Sequence, residues 1–426
     1  MDNSVPVVVV VDKGGYGALP IARSLGRLGV RTYLITPKGQ PAISASRYWA
    51  KRFLWDFSAP HDQLLEFLLN VGGEVGSRPI LLTLTDWLAI FIQDNASALE
   101  QRFIFPKPSP SVLRLLTNKW QMSSAAKQHG VPAPEATYPH SRDDVLKFLE
   151  TARFPIIIKG VDQMLPHAKT KEIVSNAHDL LEIYDSAADS GPANLMLQEF
   201  IPGDDQTVWM CNAYFDGRSE CRAVFTGKKL RQSPPHVGVA SLAICLPNEA
   251  VEQSTRRFMQ AVGYQGCVGI GYRYDARDGL YKVLDVNARV SAVFRLFVAT
   301  NGMDVVRVCY LDLTRQPIPE LVASPGRKWL LEDDLLVSPK YAMEGTLTFG
   351  QWLTSLRGIR EMHYTAADDL APIFVWSWLR FGLVWEKLAA LTKSLSRAVV
   401  AFWNRRTAAL RPATQDGPHT NSTVKP

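Results

Sequence analysis

Short apolar runs alternate with amphipathic stretches over the first hundred residues. Residues 7–11 are five consecutive valines, and Ile80 to Leu84 forms a second apolar run. Runs of this length are typical of strands that are buried on both faces of a parallel sheet. Helical spacing appears between these runs, for example over 61–71. The pattern therefore predicts a doubly wound α/β domain over residues 1–110, which ends at a cluster of prolines.

A glycine-rich segment, residues 12–17 (DKGGYG), separates the first strand from the first helix. It lacks the GxGxxG spacing of dinucleotide-binding turns, and no acidic residue closes the next predicted strand at 30–35. We therefore interpret these glycines as a tight turn. A short fourth strand is predicted at residues 103–105.

The most informative stretch further along the chain is 266–289, GCVGIGYRYDARDGLYKVLDVNAR. Apolar and polar positions alternate on both sides of the turn 275–279, which predicts a β-hairpin. Asp285 and Asn287 are two residues apart, so both side chains lie on one face of the second strand. A carboxylate beside an amide oxygen suits a hard cation, and Arg289 suits a phosphate group nearby. The alternative is that Asp285 and Asn287 are solvated polar positions of a hairpin.

Composition narrows the classes of partner. The chain has 426 residues, 46% hydrophobic and 21% charged, which is ordinary for a globular protein of two or three domains. The net charge of +6 suits a small anionic ligand, and the absence of dense basic runs and of nucleic-acid motifs argues against nucleic acid. Five scattered cysteines without a CxxC pair or a signal peptide predict free thiols in the cytoplasm. The sequence has no uninterrupted run of 18 apolar residues, so we predict no membrane span.

Four segments in a fixed order carry a resemblance to a known family. They are Lys119 in a predicted helix, the strand PIIIKG that ends on Lys159 and Gly160, the segment QEFIPG at 198–203, and DVNAR at 285–289. In this order and spacing the chain resembles the ATP-grasp superfamily of carboxylate–amine ligases over roughly residues 5 to 315. Among these enzymes it looks closest to D-aspartate ligase-like proteins and shares features with the carbamoyl-phosphate-synthase-like ATP-grasp fold.

The resemblance implies an α/β and α+β architecture. The doubly wound domain (1–110) would be followed by an ATP-grasp domain (111–315), in which a small lid at about 135–205 closes over a larger antiparallel sheet. The enzyme would use ATP and Mg²⁺ to turn a carboxylate into an acyl phosphate and join it to an amine, releasing ADP and phosphate. The substrates would be a small carboxylate and an amine, with amino acids as the leading class. The alternatives are transfer of the acyl phosphate to a non-amine nucleophile, and ATP binding with altered or no turnover.

The resemblance also implies roles for individual residues. Cations at Lys119, Lys159 and Lys169 would neutralise the phosphates, and Asp285 and Asn287 would bind Mg²⁺. The backbone of Glu199 and Ile201 would hold adenine beside Phe200, and Asp204 or Asp205 would take a ribose hydroxyl. Arg289 and Arg231 are the predicted catalytic residues, acting on the charge of the transferring phosphoryl group and of the acyl phosphate.

Three departures from the family pattern bear on activity. Gly271 stands where an acidic residue is usual, which leaves open whether one or two Mg²⁺ ions bind. The phosphate-covering loop, usually rich in glycine, reads VDQMLPHAKTK at 161–171. Lys169, Thr170 and Lys171 are therefore candidates to cover the phosphates in place of bare backbone amides. The motif DVNAR also lacks the usual proline and has Asp in place of Glu.

The C-terminal part is predicted as a helical extension over 316–406, followed by a disordered tail over 407–426. Residues 373–405 are rich in tryptophan, phenylalanine and basic residues. Two interpretations remain open for this segment. It packs on the grasp domain or on a second protomer of a homodimer, or it lies in a membrane interface as a peripheral contact.

Overall fold

The structure, a computed structural model, describes residues 1–12, 15–162, 171–188 and 194–382. Residues 1–373 form one compact unit and residues 374–426 a second. Lys169, residues 383–406 of the predicted extension and the predicted tail all lie outside the described residues.

The N-terminal part is a four-stranded parallel sheet in the order β3-β2-β1-β4, as the buried valine run predicts. Its first strand is fully buried because helices cover both faces of the sheet. The predicted fourth strand at 103–105 is wrong, since only an isolated bridge joins Ile104 to Ile80. The fourth strand is instead β3, which the apolar pattern missed because it is an edge strand and mostly exposed. The elements are β1 Val7–Val10, α1 Ala18–Gly26, β2 Thr32–Thr36, α2 Pro41–Ser44, β3 Trp49–Leu54, α3 His61–Val75, β4 Ile80–Thr83, α4 Asp86–Asp94 and α5 Ala96–Leu99.

Two helices, α6 Pro110–Thr117 and α7 Lys119–Gln128, connect this part to the rest of the chain. Each begins at a side-chain cap, Ser109 for α6 and Asn118 for α7, whose oxygens accept backbone N–H groups of the first turn. The Asn118 cap places Lys119 at the first position of α7.

A small antiparallel sheet in the order β5-β8-β6-β7 follows, over the range where the lid is predicted. Two helices cover it through a separate hydrophobic cluster that includes Val145, Ile158 and Leu180. The elements are β5 Ala136–Thr137, α8 Arg142–Leu149, β6 Ile156–Gly160, β7 Lys171–Val174, α9 Ala177–Ala188 and β8 Leu195–Glu199.

A larger sheet of seven strands, in the order β13-β12-β9-β10-β11-β14-β15, forms the rest of the first unit. All neighbouring pairs are antiparallel except β14 with β15. The predicted hairpin at its edge is confirmed, and its turn uses Gly279 at φ +74°, a conformation that favours glycine. The elements are β9 Val208–Phe215, β10 Cys221–Ser233, β11 Val239–Cys245, α10 Glu249–Ala261, β12 Gly266–Asp275, β13 Leu280–Asn287, α11 Val305–Leu313, β14 Lys328–Leu330, α12 Asp334–Met343, α13 Phe349–Ser355 and β15 Ile359–Met362, with single 3-10 turns at Asp205–Thr207 and Phe294–Leu296.

Two predictions for the C-terminal half are wrong. The sequence predicts a largely helical segment over 293–312, but the segment is helical only at its ends, because Arg295 forms ion pairs with Asp304 and Glu361 that hold the intervening chain. The range 316–406 is not purely helical, because residues 328–330 pair with β11 and β15 as a strand of the large sheet. A short apolar run does not distinguish a helix from a strand, and here pairing with distant strands decides.

A buried ion pair ties the end of this unit back to its beginning. Arg23 of α1 donates to Asp369 at 2.8 Å, and also to the carbonyl oxygens of His363 and Tyr364. Asp369 also accepts from the hydroxyl of Ser46 at 2.7 Å. The buried Arg23 guanidinium is therefore hydrogen-bonded to acceptors inside the protein, which a buried charge requires.

Candidate active site

A cavity of about 820 Å³ lies between the small sheet and the large sheet, within the first compact unit. Its volume is in the range of cavities that bind small molecules and cofactors. The lining includes nine residues that the sequence predicts as functional: Lys119, Lys159, Glu199, Phe200, Ile201, Asp205, Asp285, Asn287 and Arg289. We refer to this cavity as the cleft.

The floor of the cleft follows from strand alternation and register. Gly271 of β12 lies opposite Asp285 of β13, and Gly269 lies opposite Asn287. The same two glycines lie opposite Met210 and Asn212 of β9 on their other side. Because partners across an antiparallel pair point to the same face, the predicted metal-binding side chains project into the cleft from its floor.

The three polar residues of DVNAR form a chain of hydrogen bonds. The Asn287 amide donates to Asp285 Oδ2 at 2.9 Å, and Arg289 donates to Asn287 Oδ1 at 2.8 Å. Asp285 is exposed to the cleft, and Asn287 is half-buried. This order fixes the amide oxygen and the carboxylate side by side on one edge of the sheet.

The oxygen donors of Asp285 and Asn287 are of the kind that binds Mg²⁺. Asp285 offers carboxylate oxygens, and the amide oxygen of Asn287 has a second lone pair beyond the one that Arg289 uses. Among the described residues no group of three His, Cys, Asp or Glu side chains could hold a metal ion. Two oxygen donors fit a Mg²⁺ ion, which commonly keeps water and phosphate as its other ligands. Gly271 adds no donor, although a Cβ there would come no closer than 4.0 Å to Asp285.

Lys119 and Lys159 supply positive charge at the mouth of the small sheet. The Lys119 ammonium donates to the carbonyl oxygen of Gly160 at 2.7 Å, which ties α7 to the end of β6. Burial lowers the pKa of Lys119, while Asp285 and Asp86 act against that change. Lys159 is 8% exposed, and burial lowers its pKa to about 7, helped by the nearby Lys171 ammonium and opposed by Asp285.

Two further lysines, Lys171 and Lys229, line the cleft. Lys171 of β7 donates to the carbonyl oxygen of Val237 at 2.9 Å, and Lys229 of β10 donates to that of Gly238 at 2.8 Å. Burial lowers the pKa of Lys229 to about 8, again with Lys171 contributing and Asp285 opposing. Asp285 therefore influences all four cleft lysines, so one carboxylate offsets a cluster of ammonium groups.

The predicted adenine segment runs along the end of β8. The Glu199 N–H donates to Glu135 O at 2.8 Å, so it is used within the small sheet and only the Glu199 carbonyl oxygen can serve a base. The Glu199 side chain pairs with Arg277 and Lys282 of the hairpin, which connects the small sheet to the large one. Ile201 is buried, whereas the Phe200 ring is half-buried with the Arg273 guanidinium 5.4 Å from its centroid.

Asp205 lines the cleft, but its oxygens already have partners. Gln232 donates to it at 2.9 Å, Tyr341 donates a short hydrogen bond, and a His236 ring nitrogen lies at 3.2 Å. The pKa of His236 is raised, first by its hydrogen bond with Glu344 and then by Asp205. A ribose hydroxyl at Asp205 would have to join or replace these contacts.

The structure does not bring Arg231 into the cleft lining. A register shift in β10 lies between Lys229 and Arg231, so Lys229 and Gln232 face the cleft and Arg231 turns away. Arg231 is buried and makes a bidentate ion pair with Asp334, at 2.7 Å for the shortest contact. We therefore correct its predicted catalytic role to a structural one.

Asp86 is a functional candidate that the sequence did not single out. It is the first residue of α4, is buried, and lies 3.2 Å from the Arg289 guanidinium. The available signal was its position just after the apolar run from Ile80 to Leu84. Because Arg289 also donates to Asn287, the two contacts together fix the direction of its side chain.

Replacing Asp86 with asparagine is expected to lower kcat for ATP-dependent turnover about 10- to 100-fold, because Arg289 loses its ionic anchor and its position. The dissociation constant of a non-hydrolysable ATP analogue, measured by calorimetry, should stay the same or fall slightly, since one negative charge leaves the surroundings of Lys119. The matched control is D94N, which removes an exposed carboxylate of the same helix that pairs with Arg114. Equal kcat in D86N and D94N would refute the positioning role.

No protein-family profile matches the chain. It is 25% identical to D-aspartate ligase of Enterococcus faecium over 240 residues, which are 54% of this chain and 57% of that enzyme. The chain therefore spans little more than half the length of this curated relative.

Solved structures share the fold at low sequence identity. The L-amino acid ligase of Bacillus licheniformis matches with a TM-score of 0.57 at 16% identity, over 76% of this chain and 79% of that one. The biotin carboxylase domain dimer of the Hydrogenobacter thermophilus 2-oxoglutarate carboxylase, crystallised with MgADP, ADP and bicarbonate, matches with a TM-score of 0.57 at 16% identity, over 75% and 73%. The predicted fold, a parallel-sheet domain followed by a small and a large antiparallel sheet, is confirmed.

Proposed function

We propose that this chain, a member of the ATP-grasp superfamily, is an ATP- and Mg²⁺-dependent ligase that joins a small carboxylate to an amine. The observation that carries the proposal is the shared cleft: Asp285 and Asn287 face it from the large sheet, and Lys119 and Lys159 line it from the other side. The relatives named above are ligases and a carboxylase, and one of them was crystallised with MgADP.

Three parts of this chain would receive the nucleotide. Lys119, Lys159 and Lys171 would neutralise the phosphates, and ATP would raise the lowered pKa of Lys159 by adding negative charge beside it. The segment 199–201 would hold the base. Asp285 and Asn287 would hold Mg²⁺, which would neutralise negative charge on the phosphates.

The reaction would proceed in two displacements. An oxygen of the substrate carboxylate attacks the γ-phosphorus and ADP leaves, and the amine then attacks the acyl carbon, loses a proton and displaces phosphate. Arg289, held by Asp86 and Asn287, would stabilise the negative charge on the transferring phosphoryl group. Lys229, which lines the same cleft, would meet the carboxylate or the acyl phosphate.

A second candidate function, nucleotide binding without turnover, is favoured by one observation. Gly271 leaves the floor of the cleft without a second carboxylate beside Asp285. With fewer oxygen donors a second metal ion would bind weakly or not at all.

Incubation of the purified full chain with ATP, Mg²⁺ and mixtures of carboxylates and amino acids tests the proposal. We expect ADP and phosphate release that requires both pools, and a product whose mass equals carboxylate plus amine minus water. ADP release with the carboxylate pool alone would indicate transfer to another nucleophile. Hydroxylamine would then convert the acyl phosphate to a hydroxamate that can be detected. ATP binding without release under every mixture would favour the non-enzyme.

A further inference from the structure

The last described helical segment, residues 371–382, exposes a row of large aromatic side chains. Phe374, Trp378 and Phe381 are 68%, 81% and 74% exposed. They are spaced by four and three residues, which places them on one face of a helix. Single exposed apolar residues are common, but three large aromatic rings on one helical face are typical of a surface that binds a partner.

The excess of positive charge lies in the same region of the chain. Of 47 lysines and arginines, eight lie in residues 380–426, whereas only two of the 41 aspartates and glutamates do. This segment therefore carries the whole formal net charge of +6, and residues 1–379 are balanced. The first of the eight, Arg380, lies over the Trp376 ring at 5.7 Å from its centroid.

We propose that the aromatic face of residues 371–382, at the start of this basic region, binds the surface of membranes that contain anionic lipids. Phenylalanine and tryptophan on one face of a helix enter the headgroup region, and arginine and lysine meet lipid phosphates. A second copy of the chain fits less well as the occupant, because two segments of +6 would repel each other. No helix among the described residues is both long and apolar enough to cross a bilayer.

The proposal predicts binding that depends on lipid charge and on the three rings. Sedimentation of the full chain with vesicles of phosphatidylcholine and phosphatidylglycerol (3:1) should give a partition coefficient about tenfold or more above that for pure phosphatidylcholine. High salt should reduce it, because exposed charges are screened. The variant F374S/W378S/F381S should lose about tenfold or more on the mixed vesicles, while its melting temperature and its ADP release stay unchanged.

The matched control is L335S/L336S/M343S, which removes three exposed apolar side chains of α12, 49%, 49% and 88% exposed. This control should sediment with mixed vesicles like the unmodified chain. Equal loss in both triple variants, or no sedimentation of the unmodified chain, would overturn the proposal. A dimer in light scattering that the F374S/W378S/F381S variant converts to a monomer would assign this face to self-association instead. Because ADP release is measured separately, failure here leaves the proposed ligase activity standing.

Discussion

ADP release by the D285N variant is expected to fall about 100- to 1000-fold below that of the unmodified chain, because the cleft loses the carboxylate of its proposed metal site. The substitution keeps the shape of the side chain and its place in β13, so the hairpin should still form. Asp285 raises the pKa of Lys119, Lys159, Lys171 and Lys229, and its removal should lower all four further. The same change weakens the proposed magnesium site, which is the larger effect on turnover.

The measurement pairs turnover with binding. The dissociation constant of ADP should rise clearly in the presence of Mg²⁺ and change little in EDTA, since only the metal-dependent part of binding is lost. The matched control is D278N, an exposed carboxylate in the turn of the same hairpin that pairs with Lys282. If D285N and D278N release ADP at equal rates, Asp285 has no role in the chemistry.

Replacing Lys159 with methionine is expected to stabilise the protein without nucleotide and to weaken ATP binding. The ammonium lies in the interior with its pKa lowered to about 7. Keeping this charge buried costs the folded chain free energy, and methionine removes that cost. Loss of its contact with phosphate should cost about 2–4 kcal/mol of ATP binding, which is roughly 30- to 1000-fold in the dissociation constant.

The stability difference should depend on pH in one direction. Lys159 has a lower pKa in the folded chain than in the unfolded chain, whose lysines titrate near 10.4. Between about pH 7 and pH 10 the unfolded chain therefore binds an extra proton, and the free energy of unfolding of the unmodified protein rises with pH. K159M lacks this rise, so its advantage, on the order of a few kcal/mol at pH 7 and below, should vanish near pH 10.

Urea titration of both proteins from pH 6 to pH 10 measures this difference. The control K147M removes an exposed lysine of α8 and should change neither stability nor ATP affinity. A K159M protein that is less stable at every pH would show that Lys159 is held by partners in the folded chain. An unchanged ATP affinity would remove Lys159 from the phosphate site.

The parts of the site that follow a local period were predictable from sequence. Asp285 and Asn287 share a face because strand side chains alternate, and the turn at Gly279 fixes the register of the hairpin. Lys119 and Lys159 were identified by resemblance, since their positions depend on an order of segments that this chain keeps. Arg231 misled the same reasoning because a bulge in β10 breaks the alternation after Lys229.

The residues that sequence reasoning missed are placed by contacts between distant segments. Asp86 reaches Arg289 across about two hundred residues of chain, and no spacing within either segment indicates the pair. Lys171 was a candidate from the sequence, but it faces the cleft only because β7 packs beside β6 and the loop of Val237 lies within its reach. Such contacts require the tertiary arrangement, which no local pattern encodes.

The anchoring of Arg23 by residues 363–369 bears on how this architecture can be recombined. The N-terminal sheet is not an exchangeable module, because its first helix keeps a guanidinium whose acceptors come from the far end of the same folded unit. A chimera that joins this sheet to the grasp domain of another protein would leave the Arg23 guanidinium buried without its acceptors, at a cost of about 3–5 kcal/mol. Successful grafts must therefore carry both ends of the unit, or replace Arg23 with a neutral side chain.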